Sequence, residues 1–398
     1  MLLKNTDISV LNRLLLYILV FSLVFERVFP FMDNMSYPKV VFLVYLSVLL
    51  LNKSFFIAST LRVNIIIVMF LALFLLTNLF NGGLLIQQDI KSLDWTFFLN
   101  ICFLWVLLTH EKLDPGILTS SLFFYVIGYL ILVLLYFFGY YDILFNGRVY
   151  MGGSLPNNLA LNGVYAVSFL LLFLERVKEK SYLLMLSIFL AVILFTILIA
   201  STGSRSGFLS LLMVFLIYLI FARRIMKLII LPISIIIVLV FYENFSVIIG
   251  RFSSFLSSGE IGGRWDIIDF SLNVISSNFI FGVGREQFDL LANAVFGFSP
   301  SPHNAFLEVF LYGGVFAFLC LVFIIFKLMQ ILYKSYKLSN SYSYVMLISP
   351  LMVQALSGQI FNSKIFFLVL AVIIASQATN LKSSKKLDFK KPDSKSTQ

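Results

Sequence analysis

The sequence predicts an all-α polytopic membrane protein with about twelve spans. Sixty percent of its 398 residues are hydrophobic, 12% are charged, and mean hydropathy is +1.00. An average soluble domain is about one-quarter charged. The apolar residues also come in long runs, each near the ~20 residues that cross a bilayer as a helix. These runs are continuous. They lack the period-2 alternation of barrel strands, so helices satisfy the backbone within the hydrocarbon.

Hydropathy places the spans at 10–29, 38–52, 63–80, 95–109, 117–138, 159–174, 182–200, 206–222, 225–242, 303–326, 343–358 and 363–378. The first run has no small-residue cleavage site and is long for a signal peptide, so it is read as a retained span. The chain then divides into a nine-span region (1–242), one long loop (243–302), a three-span region (303–378) and a basic tail (379–398). No internal repeat is evident.

The Lys/Arg bias gives the orientation. With the N-terminus inside, 20 of the 29 basic residues lie on the cytoplasmic side and 9 outside. Both termini are therefore expected in the cytoplasm and the long loop outside. The kind of base differs too, with 5 Arg to 15 Lys inside and 6 Arg to 3 Lys outside. Topology needs only positive charge, whereas a planar guanidinium can grip two phosphate oxygens at once. The net charge of +10 owes much to the lysine-rich tail. That tail is read as solvated and near anionic lipid, with no nucleic acid as partner. Cys102 and Cys320 lie inside apolar runs and form neither a disulfide framework nor a metal cluster.

Four outer segments carry the candidate chemistry. In 147-GRVYMGGSLPNNLAL-161, Arg148 precedes a Gly-Gly turn. Its glycines would allow a ligand close to the backbone, and Asn157 or Asn158 would cap the next helix. In 201-STGSRSGFL-209, Arg205 heads a span. A charge so near the hydrocarbon is a functional candidate, with a snorkelling interfacial arginine as the plainer reading.

In 262-GGRWDIIDFSLNVISSNFIFGVG-284, Trp265, Ile268, Leu272, Ile275 and Phe279 recur at helical spacing. This predicts one short amphipathic helix across the outer mouth, with Arg264 at its start, where a helix N-terminus favours anions. Gly282 and Gly284 would end it or turn the chain, and Arg285 follows. The fourth segment, 299-SPSPHNAFLEVFLYGG-314, holds His303, one of two histidines. His303-Asn304 would begin the span, and Gly313-Gly314 would permit close helix packing. The other histidine, His110, is read as structural. Asp266 and Asp269 on one helix are weak grounds for a metal, and none is expected.

The topology gathers Arg148, Arg205, Arg264, Arg285 and His303 on one side. Several arginines beside a group that titrates near neutrality suit a site that holds a diphosphate and deprotonates a hydroxyl. No P-loop, GxSxG or zinc spacing competes.

The order GRVYMGGSLPNNLAL, STGSRSGFL, GGRWDII with FGVG, then HNAFLEVFLYGG resembles the O-antigen polymerase and O-antigen ligase family, over residues about 147–317. The resemblance implies a GT-C-like, metal-independent glycosyltransferase without a cofactor, set in a bacterial inner membrane with its long loop periplasmic. It implies a glycan donor on undecaprenyl pyrophosphate and a glycan acceptor, with a chain-length regulator as a candidate partner. By motif, Arg205 and Arg264 would bind the pyrophosphate and His303 would act as base or orient the acceptor hydroxyl. Arg148 and Arg285 are added as secondary phosphate contacts on position and charge alone. Where the family pattern after His-Asn often reads Gly-x-x-Gly, this chain has Gly314 and Ala317.

Two activities fit that family. A polymerase moves the growing chain onto a new lipid-linked repeat unit, and a ligase moves it onto lipid A-core. The motif style and the modest loop favour the polymerase. A lipid-linked oligosaccharide flippase or exporter is the alternative of another class. It should line its spans with charge, which these spans nearly lack.

Overall fold

A computed structural model describes residues 5–32, 35–51, 65–79, 95–144, 147–176, 182–221, 250, 253, 264–339, 343–357 and 361–388. Among these residues the protein is all-α apart from two short hairpins. Its helices are α1 (Asn5–Leu23), α2 (Tyr37–Leu50), α3 (Ile65–Leu79), α4 (Trp95–Leu113), α5 (Ile117–Phe137), α6 (Pro156–Arg176), α7 (Tyr182–Ser201) and α8 (Arg205–Phe221). They continue with α9 (Arg264–Ser277), α10 (Arg285–Phe296), α11 (Ala305–Ser339), α12 (Ser343–Ser357) and α13 (Lys364–Asp388). Strands β1 (Pro30–Met32) and β2 (Met35–Ser36) pair antiparallel, as do β3 (Asp142–Ile143) and β4 (Val149–Tyr150).

Among the described residues, five helices are long and apolar enough to span a membrane, and six shorter apolar helices accompany them. Together they fall on every expected span except 225–242, which lies outside the described residues, as do 243–249 and the end of the tail at 389–398. The protein is a multi-pass membrane protein.

Burial orders the bundle. In α6, 72% of the spanning window is buried, against 44% in α7 and 39% in α11. Helix α6 is therefore central, packed by α5, α7, α8 and α12, while α7 and α11 turn Leu183, Leu186, Leu319 and Phe323 outward. Side chains apolar all round suit a helix that faces both core and lipid. Small residues set the closest approaches. A Cβ on Gly207 would fall 2.5 Å from that of Ala160, so its absence lets α8 lie against α6.

At the end of the bundle where α4 meets α5, Glu111 accepts the Gly116 and Leu118 amides at 2.6 and 2.9 Å. A carboxylate there satisfies two otherwise orphaned donors and complements the α5 dipole. Arg13 pairs with Asp114 at 2.6 Å, and His110 shares a 2.6 Å hydrogen bond with the Tyr45 hydroxyl. His110 is buried and structural.

Candidate active site

The candidate residues lie at or near the starts of α6, α8, α9, α10 and α11. Arg148, beside the β3–β4 hairpin, donates through Nε to the Thr202 carbonyl at 3.0 Å and through Nη2 to Asn157 Oδ1 at 2.7 Å. The same Asn157 oxygen accepts from Ser204 Oγ at 3.0 Å. Ser204 Oγ in turn accepts the Gly207 amide at 3.2 Å and so caps α8, whose first residue is Arg205. Two expectations change here. Asn157 follows Pro156 inside the first turn of α6, and its carboxamide ties hairpin to turn instead of capping its own helix. The paired glycines of the turn after β4 pack against the chain itself. A Cβ on Gly152, at φ +54, would overlap the Val28 carbonyl, and one on Gly153 would lie 2.8 Å from the Arg27 carbonyl. Both press the loop onto the segment that follows α1.

The expected single amphipathic helix is two helices. Arg264 opens α9 and Arg285 opens α10, where Gly284 is the N-cap at φ +74. On α9, Ile275 is buried as expected, but Trp265 and Leu272 are each 49% exposed. The packed face is instead Phe270, Val274 and Ile275, set against Phe288 of α10 and Leu311 of α11. Arg285 reaches Asp289 of its own helix at 4.0 Å.

The link between these helices is inserted into α11. That helix breaks at Gly314 (φ +64, ψ −162), and the interrupted ladder is completed from outside. Val283 donates its amide to the Leu311 carbonyl at 2.7 Å, and Val315 donates to the Phe279 carbonyl at 3.0 Å. A Cβ on Gly282 or Gly314 would collide with the opposing backbone. Gly313 serves helix packing, as expected, since its Cβ would lie 3.0 Å from the Leu76 carbonyl of α3. Ala317, where the family pattern often has glycine, is fully buried.

His303 sits just before α11 and not within it. Asn304 is the N-cap, its Oδ1 accepting the Phe306 and Leu307 amides at 3.0 and 3.2 Å. His303 is exposed, at φ +51, the sole non-glycine residue with positive φ among the described residues. A side chain in that conformation costs energy that the surroundings must supply. They do so through Ser301, whose Oγ accepts the His303 amide at 3.2 Å and donates to Glu308 Oε1 at 2.7 Å.

Glu308 and Arg285 line one cleft, together with Thr77, Asn78, Tyr312 and Asn362. Asn362 also lines an adjoining cleft beside Ser154 and Asn158. The structure thus gathers four of the five sequence candidates in two groups. Arg148 and Arg205 flank the α7–α8 turn, and Arg285 and His303 stand around Glu308. Glu308, Ser301 and Ser204 were not among the candidates. Glu308 had left a signal, as the only acid in the apolar run 305–326.

Residues 189–322 match the Wzy_C family model, O-antigen ligase. This stretch, less than half of the chain, is similar to the domain of that family. The family includes both polymerases and ligases, and its enzymes are glycosyltransferases. The matched stretch runs from α7 into α11 and contains Arg205, Arg264, Arg285, His303 and Glu308, while Arg148 lies before it. No curated protein matches the chain.

Proposed function

We propose that this protein is a surface-polysaccharide polymerase. It would transfer an undecaprenyl-pyrophosphate-linked glycan onto a new lipid-linked repeat unit at the periplasmic face of a bacterial inner membrane. The observation that supports this most is that Arg205, Arg285 and His303 all fall inside the matched stretch, with Arg285 lining a cleft beside Glu308, the acid to which the strap of His303 is tied.

In this reading the lipid tail stays in the bilayer while Arg205 and Arg264, each at the first residue of a helix, hold the pyrophosphate. Arg285 adds charge from the cleft wall, and Arg148 both contributes charge and fixes the turn that presents Arg205. The acceptor hydroxyl attacks the anomeric carbon. A C–O bond forms to that carbon, its bond to the phosphate oxygen breaks, and undecaprenyl pyrophosphate leaves with its charge met by guanidinium groups. His303 takes the hydroxyl proton. Most of the rate comes from oriented charge around the leaving group.

The modest loop after 243 favours a lipid-linked repeat unit over the larger lipid A-core as acceptor. The test is the glycan profile of a strain lacking the gene. Core lipid bearing a single repeat unit is the outcome expected of a polymerase. Bare core, with long polymer held on the lipid carrier, would identify a ligase. Repeat units trapped on the cytoplasmic side would identify a flippase. Complementation with His303→Ala at normal protein level should fail, and full complementation would remove His303 from the chemistry.

A further inference from the structure

The second cleft is richer in neutral polar side chains than the first. Three of its side chains, Asn158, Asn162 and Tyr165, stand on α6 at positions i, i+4 and i+7 and so share one helix face. From Pro156 to Tyr165 that face descends about 14 Å along the axis of a largely buried helix. Carboxamides and hydroxyls at such depth in a membrane protein face one another or a wet, liganded space. One pair is internal, with the Tyr165 hydroxyl donating to Gln354 Oε1 of α12 at 2.6 Å.

Others are not satisfied. Ser154 is 1% exposed and its Oγ has no hydrogen-bond partner among the described residues, and the same holds for the enclosed Oδ1 of Asn362. Both line this cleft. Enclosed polar atoms without partners are rare in native structures and ask for one.

Two charged residues line this cleft, Glu26, which forms an ion pair with Lys364, and Arg27. Most of the remaining polar lining is amides and hydroxyls. An amide side chain presents donor and acceptor together, as a sugar hydroxyl does. Asn362 is common to both clefts, so an oligosaccharide reacting beside Arg285 and Glu308 would extend past it into this space.

We propose that this cleft is a saccharide subsite that takes a pyranose residue of the glycan, held by Asn158, Asn162, Ser154 and Asn362. The proposal rests on the transferase reading for the identity of the glycan, but its test does not depend on turnover.

The probe is the free repeat-unit oligosaccharide, released by mild acid from the lipid-linked material of the deletion strain. Its binding to the full-length protein in lipid nanodiscs is followed by saturation-transfer NMR. Wild type and His303→Ala should bind alike, and Asn162→Leu should bind about tenfold more weakly. Ser154→Ala removes a buried hydroxyl that has no protein partner, so a structural role predicts unchanged or higher thermal stability and unchanged binding. A subsite predicts several-fold weaker binding at that same stability. Equal binding by wild type and Ser154→Ala, or no binding by wild type, overturns the subsite. Binding that depends on Ser154 and Asn162, with no glycan transfer from lipid-linked donor by wild type, keeps the subsite and refutes the transferase.

Discussion

Ser301 donates its hydroxyl hydrogen to Glu308 at 2.7 Å and, with the same oxygen, receives the amide of His303. A carboxylate one turn inside α11 thereby reaches back over the N-cap and fixes the loop that presents the histidine. Hydrogen bonds to charged groups contribute about 1.5–3 kcal/mol. Glu308→Ala, which frees the loop, should therefore lower glycan transfer by about ten- to a hundredfold. Glu308→Gln still offers a carbonyl oxygen to Ser301 and should recover much of that loss. Initial rates with lipid-linked substrate at matched protein level decide it. Equal damage from Ala and Gln would mean that the negative charge itself is what the site uses.

His303 holds a left-handed backbone that glycine adopts freely and asparagine tolerates. Side chain and backbone can thus be separated by mutation. His303→Gly and His303→Asn should each be as thermally stable as wild type or more so, since the strain relieved is on the order of 1 kcal/mol. Both should lose about 10²–10⁴ in turnover if the imidazole moves a proton. A melting curve and a single-turnover assay on the same preparations test both halves. Normal turnover in His303→Asn would leave the residue with a hydrogen-bonding or structural role only.

The spans were legible because each is a local property, a run of apolar side chains whose length alone implies a crossing. Arg205 at a helix start was legible for a similar reason, since five small or polar residues between two spans leave few places for it. What escaped depends on distant partners. Asn157 obeys a local capping rule in the sequence, yet Arg148 and Ser204 compete for its oxygen and win. Helix α10 mixes polar and apolar residues over twelve positions, too short for a clear period, and is held by Phe288 against α9 and α11. The Gly313-Gly314 pair announced close packing. That one glycine breaks the helix could not be read locally, because the residues that complete its ladder, 279–283, come from an earlier segment.

Arg148 binds the chain itself, at Thr202 and Asn157, so its mutation should affect the fold of the turn as well as the substrate. Arg148→Lys keeps the charge but loses the planar fork that serves both acceptors. A double-mutant cycle with Asn157→Leu should give a coupling of about 1–2 kcal/mol in unfolding from mixed micelles. Additive effects would show that the two residues act independently, and the turn would then need another explanation for its position.

Gly314 offers the sharpest separation of packing from chemistry. Its Cα faces the Ile280 carbonyl so closely that any Cβ would overlap it, and its φ of +64 disfavours side chains independently. Gly314→Ala should therefore expel the 279–283 segment from the break in α11, leaving the Leu311 carbonyl and Val315 amide without their partners. Clash and lost hydrogen bonds together predict a destabilisation of about 3–5 kcal/mol, in the range of the largest single-residue effects. Gly313→Ala would bring its Cβ to 2.5 Å from the Ala317 Cβ and 3.0 Å from the Leu76 carbonyl of α3, so α11 must shift locally, but its backbone is ordinary helix and the inserted segment keeps its place, so the cost should be smaller. Hydrogen exchange at the Val283 and Val315 amides distinguishes the two. Fast exchange in Gly314→Ala with near-native protection in Gly313→Ala is the expected pattern, and native protection in both would mean that the break in α11 does not depend on glycine.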